Sequence, residues 1–96
     1  MVELTLIAPG EQAIKSLVES ALINEQRLLE VGLRKTQQRL QKFEEQYGID
    51  TNEFILNYRN DLVQETLETL EWLGEYRMAQ HIQAKIDRLK AIHFAN

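Results

Sequence analysis

The stretch Phe43-Glu44-Glu45-Gln46-Tyr47-Gly48-Ile49-Asp50-Thr51-Asn52-Glu53-Phe54 contains a helix stop followed at once by a helix start. Gly48 supplies the left-handed residue that commonly ends a helix. Asp50 with Glu53 three residues later reads as a capping box opening a short helix over residues 51–60. Phe54, Ile55 and Tyr58 fall on the apolar side of that helix. Asn60-Asp61 makes a second break, with Asp61 as the expected N-cap of a last helix over residues 61–92. A chain that stops and restarts twice within twenty residues reverses direction there, so the long segments on either side are expected to pack as an antiparallel hairpin.

On the N-terminal side, residues 11–47 contain no proline and only Gly32 as a weak break. A helix of that length spans roughly 50 Å at about 1.5 Å per residue. Its apolar residues form two seams. Leu22, Leu29, Leu33, Leu40, Phe43 and Tyr47 recur at steps of three, four or seven, and Ile14, Leu17, Ala21, Leu28 and Val31 form a displaced second seam confined to the first half. A helix apolar over so wide an arc needs more than one neighbour. The last helix of the same chain can cover one seam, so a homodimer burying Leu17, Leu28 and Val31 is expected.

On the C-terminal side, Val63, Leu67, Leu70, Leu73 and Tyr76, then Ala79, Ile82, Ile86 and Leu89, carry the helical period. Lys85, Arg88 and Lys90 suit the negative end of the helix dipole. Trp72 and Tyr76 have two readings, as core rings or as anchors of a partner interface. Gly32 and Gly74 each cost about 1 kcal/mol against alanine in a helix interior. Counted from residues 47 and 61 they sit at similar heights, where missing side chains would let the helices approach and admit the ring of Trp72 or Tyr76.

Charge supports the hairpin. Arg27, Arg34, Lys35, Arg39 and Lys42 oppose only Glu30 in one stretch, while Asp61, Glu65, Glu68, Glu71 and Glu75 stand without a base in the other. An antiparallel pairing sets these fields side by side. The acidic stretch offers the basic one an internal partner, and the net charge of −4 disfavours nonspecific attraction to nucleic acid. Val2, Leu4 and Leu6 alternate with Glu3 and Thr5, so residues 1–10 read as a strand-like arm closed by Pro9-Gly10, either lying on the helices or pairing with another chain.

Catalytic apparatus is missing from the pattern. There is no cysteine, hence no disulfide scaffold and no thiolate metal site. His81 and His93, twelve residues apart on one expected helix, cannot share a metal through it. Glu68, Glu71 and Glu75 read as a solvated, salt-bridged face rather than an acid–base pair. Ser16 and Ser20 have no histidine nearby, and all four glycines are isolated. The reading is therefore a non-enzyme with no cofactor or metal. The opening residues are too short for a signal core and lack a basic lead, and no run approaches the ~20 apolar residues of a membrane span, so a cytoplasmic location is expected.

The spaced set Phe43-Glu44-x-x-Tyr47-Gly48-Ile49-x-x-x-Glu53-Phe54, then Tyr58, then Glu71-Trp72-x-Gly74-Glu75-Tyr76, resembles a group of small helical proteins of bacteria and archaea. Some of these look like the antitoxin side of toxin–antitoxin gene pairs. The similarity spans roughly residues 28–92. It implies an acidic helical protein that binds and neutralises a protein partner, with no catalytic residues to transfer. Alternatives are a scaffolding helical homo-oligomer, or a small RNA-binding regulator using Arg27, Arg34, Lys35 and Arg39.

Overall fold

The computed structural model describes residues 2–4 and 10–94. Their order is β1 (Val2–Leu4), α1 (Glu11–Tyr47), α2 (Thr51–Arg59), α3 (Leu67–Lys90) and β2 (Ile92–Phe94). The long helices α1 and α3 pack against each other along an all-α hairpin, and α2 caps the closed end. The long dimension of 59 Å is close to the roughly 55 Å expected of the 37-residue α1, so that helix sets the length of the molecule.

Local chemistry accounts for each helix end. Gly48, at φ 71°, donates its N–H to Glu44 O and closes α1. Asp50 Oδ1 accepts the Glu53 N–H at 2.8 Å, and Glu44 Oε2 accepts the Thr51 N–H at 2.7 Å, so two otherwise orphaned amides of α2 are satisfied. At the far end of α2, Asp61 N–H reaches Tyr58 O and Leu62 N–H reaches Asn57 O. These two bonds make a Schellman motif with Asp61 in the left-handed position at φ 60°, where glycine is usual.

That motif corrects the expected start of the last helix. Asp61 belongs to the exit of α2 and does not cap α3. The actual cap is Thr66, whose Oγ1 accepts the Thr69 N–H at 3.1 Å while Thr69 Oγ1 accepts the Thr66 N–H at 2.8 Å. Threonine at both positions replaces the familiar Ser/Thr-x-x-Glu pattern, which is why the sequence did not announce it. The helix also ends at Lys90 rather than 92, and the residues beyond it enter β2, His93 among them.

The six-residue delay resets the register of the hairpin. Phe43 lies against Trp72, Arg39 pairs with Glu75 at 3.5 Å, and Gly32 faces Ile82. Gly32 and Gly74 are therefore at different heights, and the expected shared clearance between them does not exist. A methyl group at Gly32 would meet Ile82 Cδ1 at 3.7 Å, ordinary contact, and one at Gly74 would meet nothing within 4 Å. Leu67 and Leu70, expected on the apolar face, are exposed, and the buried face of α3 carries Thr69, Trp72, Leu73 and Ile86.

The principal core sits where the three helices meet. Phe54, Ile55, Trp72 and Leu73 are buried there, flanked by Leu40, Phe43, Ile49, Tyr58, Val63 and Tyr76. Trp72, 1% exposed, is a core ring of its own chain, which settles the choice between core and interface for that residue. At the other end of the molecule, β1 pairs in parallel with β2, Glu3 opposite His93. The arm is thus tied, over Val2–Leu4, to the same chain rather than lying loose or pairing with another. The strand's backbone groups need a ladder, and the three residues after α3 provide one. Residues 5–9 of the arm lie outside the described residues.

Two stability measurements check this account. Replacing Asp61 by glycine relieves a left-handed non-glycine residue and should raise stability by roughly 0.5–1 kcal/mol in urea unfolding. Gly32→Ala and Gly74→Ala should each be neutral or stabilising, by several tenths up to about 1 kcal/mol. Destabilisation of either alanine variant contradicts the register described.

Candidate functional site

Two faces of α1 differ in what covers them. Leu22, Leu29, Leu33, Thr36, Leu40 and Phe43 lie on the side turned to α3 or α2, and all are at least partly buried. The second seam lies about a third of a turn away at roughly 100° per residue. Along it Leu17, Ala21, Asn24, Leu28, Val31 and Lys35 succeed one another at steps of four and three, and every one is exposed. Leu17 is 71%, Leu28 61% and Val31 40% exposed. Three large aliphatic side chains in solvent on one straight stripe, on a helix already braced from the other side, are the strongest candidate site on the molecule.

Of the five residues singled out from the sequence, the structure brings Leu17, Leu28 and Val31 onto this stripe. It sends Trp72 and Tyr76 elsewhere, into and against the aromatic core at the closed end. Leu56, Leu62, Leu67, Leu70 and Met78 are exposed as well. Sequence reading gave Leu67 and Leu70 to the core, because a helix begun at residue 61 continues the period of Val63 through both. The Thr66–Thr69 pairing was the signal for a later start.

α3 ends at Lys90, level with Asn24 by the Gly32–Ile82 register, and α1 continues beyond it. Lys15, Glu19, Leu22 and Ile23 there form an open groove with Leu89 and Ile92. A second groove lies over Phe43, between Arg39 and Lys42 on one wall and Glu71 and Glu75 on the other, with the bare backbone of Gly74 in its rim.

The charged stretches meet less than their composition suggests. Between the two charged stretches Arg39 pairs with Glu75, with side chains 57% and 24% exposed, a contact worth a few tenths up to about 1 kcal/mol. The other carboxylates near the start of α3 take neutral donors. Glu68 accepts hydrogen bonds from the Tyr47 hydroxyl and from Gln46 Nε2, and Glu65 accepts one from the Tyr58 hydroxyl at 3.3 Å. Arg27, Arg34, Lys35 and Lys42 are exposed, with no ion pair among the described residues. The internal neutralisation expected from composition is limited to Arg39, because α3 begins too late and turns its first carboxylates towards tyrosines.

The Glu68 carboxylate holds the Tyr47 phenol above its ordinary value, first through the hydrogen bond, then by partial burial and by the nearby negative charge. Among the described residues no group of three or more His, Cys, Asp or Glu side chains is placed to hold a metal ion, and His81 is exposed on α3. No helix among them is long and apolar enough to cross a membrane. No protein-family model matches the chain, and no curated protein or solved structure is similar to it.

The Tyr47–Glu68 contact has a titration signature. A folded-state pKa raised above that of the unfolded chain means a stabilising contribution present below pH 10 and lost as pH rises through the folded value. The tyrosinate absorbance of the native chain minus that of Tyr47→Phe should have its midpoint above 10.0, and Glu68→Gln should return it towards 10.0.

Proposed function

We propose that this chain is a non-enzymatic helical binding module that self-associates through α1 and, as a dimer, engages a protein partner, in the manner of an antitoxin-like neutraliser. The observation that carries the reading is the exposed stripe Leu17–Ala21–Leu28–Val31 on a helix whose other apolar seam is partly buried within its own chain. Burying a fully exposed leucine or valine contributes about 1.5–3 kcal/mol, and Leu17, Leu28 and Val31, 71%, 61% and 40% exposed, contribute in proportion on each of two chains. A thin single-chain core adds to the case, since a hairpin of this size buries little by itself. The reading of a protein partner rests on the resemblance of the spaced aromatic and glycine set in residues 43–76 to antitoxin-like helical proteins.

A second reading is favoured by one specific observation. Among the described residues Arg27, Arg34, Lys35 and Lys42 have no ion pair, which leaves cations available to a phosphate backbone. Their stripe carries no interleaved aromatic ring before Phe43, so base stacking has no platform there. The RNA reading is therefore the weaker of the two.

Sedimentation at tens of micromolar tests the first. The native chain should sediment at about twice its 11.3 kDa mass, and Leu28→Glu at the monomer mass with unchanged helical circular dichroism. A native chain that sediments as a monomer, with a salt-sensitive mobility shift on single-stranded RNA, would replace this reading with the second.

A further inference from the structure

Resting on that reading of self-association, we infer that the α1 stripe is covered by α1 of a second copy running antiparallel, with Leu17 against the partner's Leu28. The stripe extends back to the half-buried Ile14, so Ile14, Leu17, Ala21, Asn24, Leu28, Val31 and Lys35 follow one another at steps of three and four without interruption. This is a heptad pattern of period 3.5, the spacing that keeps one seam facing a neighbouring helix. The two kinds of seam position alternate along it, Ile14, Ala21, Leu28 and Lys35 being one kind, Leu17, Asn24 and Val31 the other.

Orientation decides which side chains meet. With the partner reversed, positions of one kind face the other. Ile14 then meets the partner's Val31, Leu17 meets the partner's Leu28, and Ala21 meets the partner's Asn24, after which the series repeats by symmetry. Large aliphatic groups pack against large ones, and the two small centres share the layers beside the two-fold axis. Lys35 falls beyond the partner's Ile14, at the end of the overlap, where its ammonium stays in water. With the partner parallel, each side chain meets its own copy. That arrangement places Lys35 against the partner's Lys35 inside the seam and gives two adjacent thin layers, alanine on alanine and asparagine on asparagine.

Charge selects the same orientation. Residues 11–25 carry Glu11, Glu19 and Glu25 with Lys15, whereas residues 26–42 carry Arg27, Arg34, Lys35, Arg39 and Lys42 with Glu30. Of the bases in residues 26–42, Arg39 alone pairs with a carboxylate among the described residues. A reversed partner lays the net-acidic residues 11–25 beside the stretch that carries Arg27 and Arg34, and a parallel partner lays base along base. Opposed fields of this kind fix orientation more than they add affinity. The hairpin geometry agrees: α3 accompanies α1 only as far as Asn24, so reversal sets the stretch of each α1 beyond α3 beside a stretch that α3 braces in the other.

The absence of cysteine from the chain makes the orientation directly readable. Positions 17 and 28 lie roughly 16 Å apart along one helix, too far for an intrachain disulfide, whose Cα atoms stand about 4.4–6.8 Å apart. Under mild oxidation, L17C/L28C should convert largely to a covalent dimer, an equimolar mixture of L17C with L28C should do so too, and each single variant alone should not. Single variants that cross-link with themselves would overturn the antiparallel arrangement and leave self-association standing. A native chain sedimenting as a monomer, with the thiols of L17C and L28C open to maleimide, would overturn both and leave the stripe to another protein or to RNA.

Discussion

The indole of Trp72 is the point on which the rest of the molecule depends. Its ring stacks on Phe54 from α2, with centroids 3.9 Å apart and planes 2° apart, and on Phe43 from α1, at 5.5 Å and 9°. Tyr47 adds a third ring at 5.4 Å. Stacked pairs of this kind contribute about 0.5–1.5 kcal/mol each beyond the area they bury. The indole N–H, which would be costly to bury alone, donates to Thr51 Oγ1 at 3.1 Å, so burial is complete without an orphaned donor. Three helices from distant parts of the chain are thus tied to one side chain by shape and by one directional bond.

The aromatic stack anchors the hairpin at its closed end, and the register follows from it. With Trp72 level with Phe43, Ile82 falls opposite Gly32 and Lys90 opposite Asn24. α3 therefore runs out while α1 still has more than three turns to go. The small parallel pairing of Val2–Leu4 with Ile92–Phe94 occupies the region just beyond. A thin core strung along 59 Å leaves a face of α1 that the other described residues do not cover. The exposed stripe on α1 is thus a direct consequence of where the stack places the two long helices.

Electrostatics plays a smaller role inside the chain than composition suggests. Glu65 and Glu68 take tyrosine hydroxyls, Glu75 takes Arg39, and Arg27, Arg34, Lys35 and Lys42 are exposed. These bases are better placed to orient an approaching molecule than to hold the hairpin together, since exposed pairs contribute little to folding while fields of opposite sign steer association.

The ends of α1 and the start of α2 were legible in the sequence because they are decided within four residues. Gly48 adopts the left-handed turn and Asp50 caps the next helix whatever else the chain does. The double seam on α1 was legible for the same reason, since periodicity is a property of the helix alone. The start of α3 was not, because Asp61 suits both a helix entrance and a helix exit, and the choice came from the Schellman bonds to Asn57 and Tyr58 together with the Thr66–Thr69 cap. The place of Trp72 was not legible either: an indole is equally at home in a core or an interface until a partner for its N–H is known, and that partner, Thr51, stands 21 residues away. Sequence by itself determined that two long helices would form and that α1 would carry more apolar surface than one neighbour covers. Only the tertiary structure decided which seam α3 takes, because that depends on the height at which a buried ring and its hydrogen-bond acceptor meet across the fold.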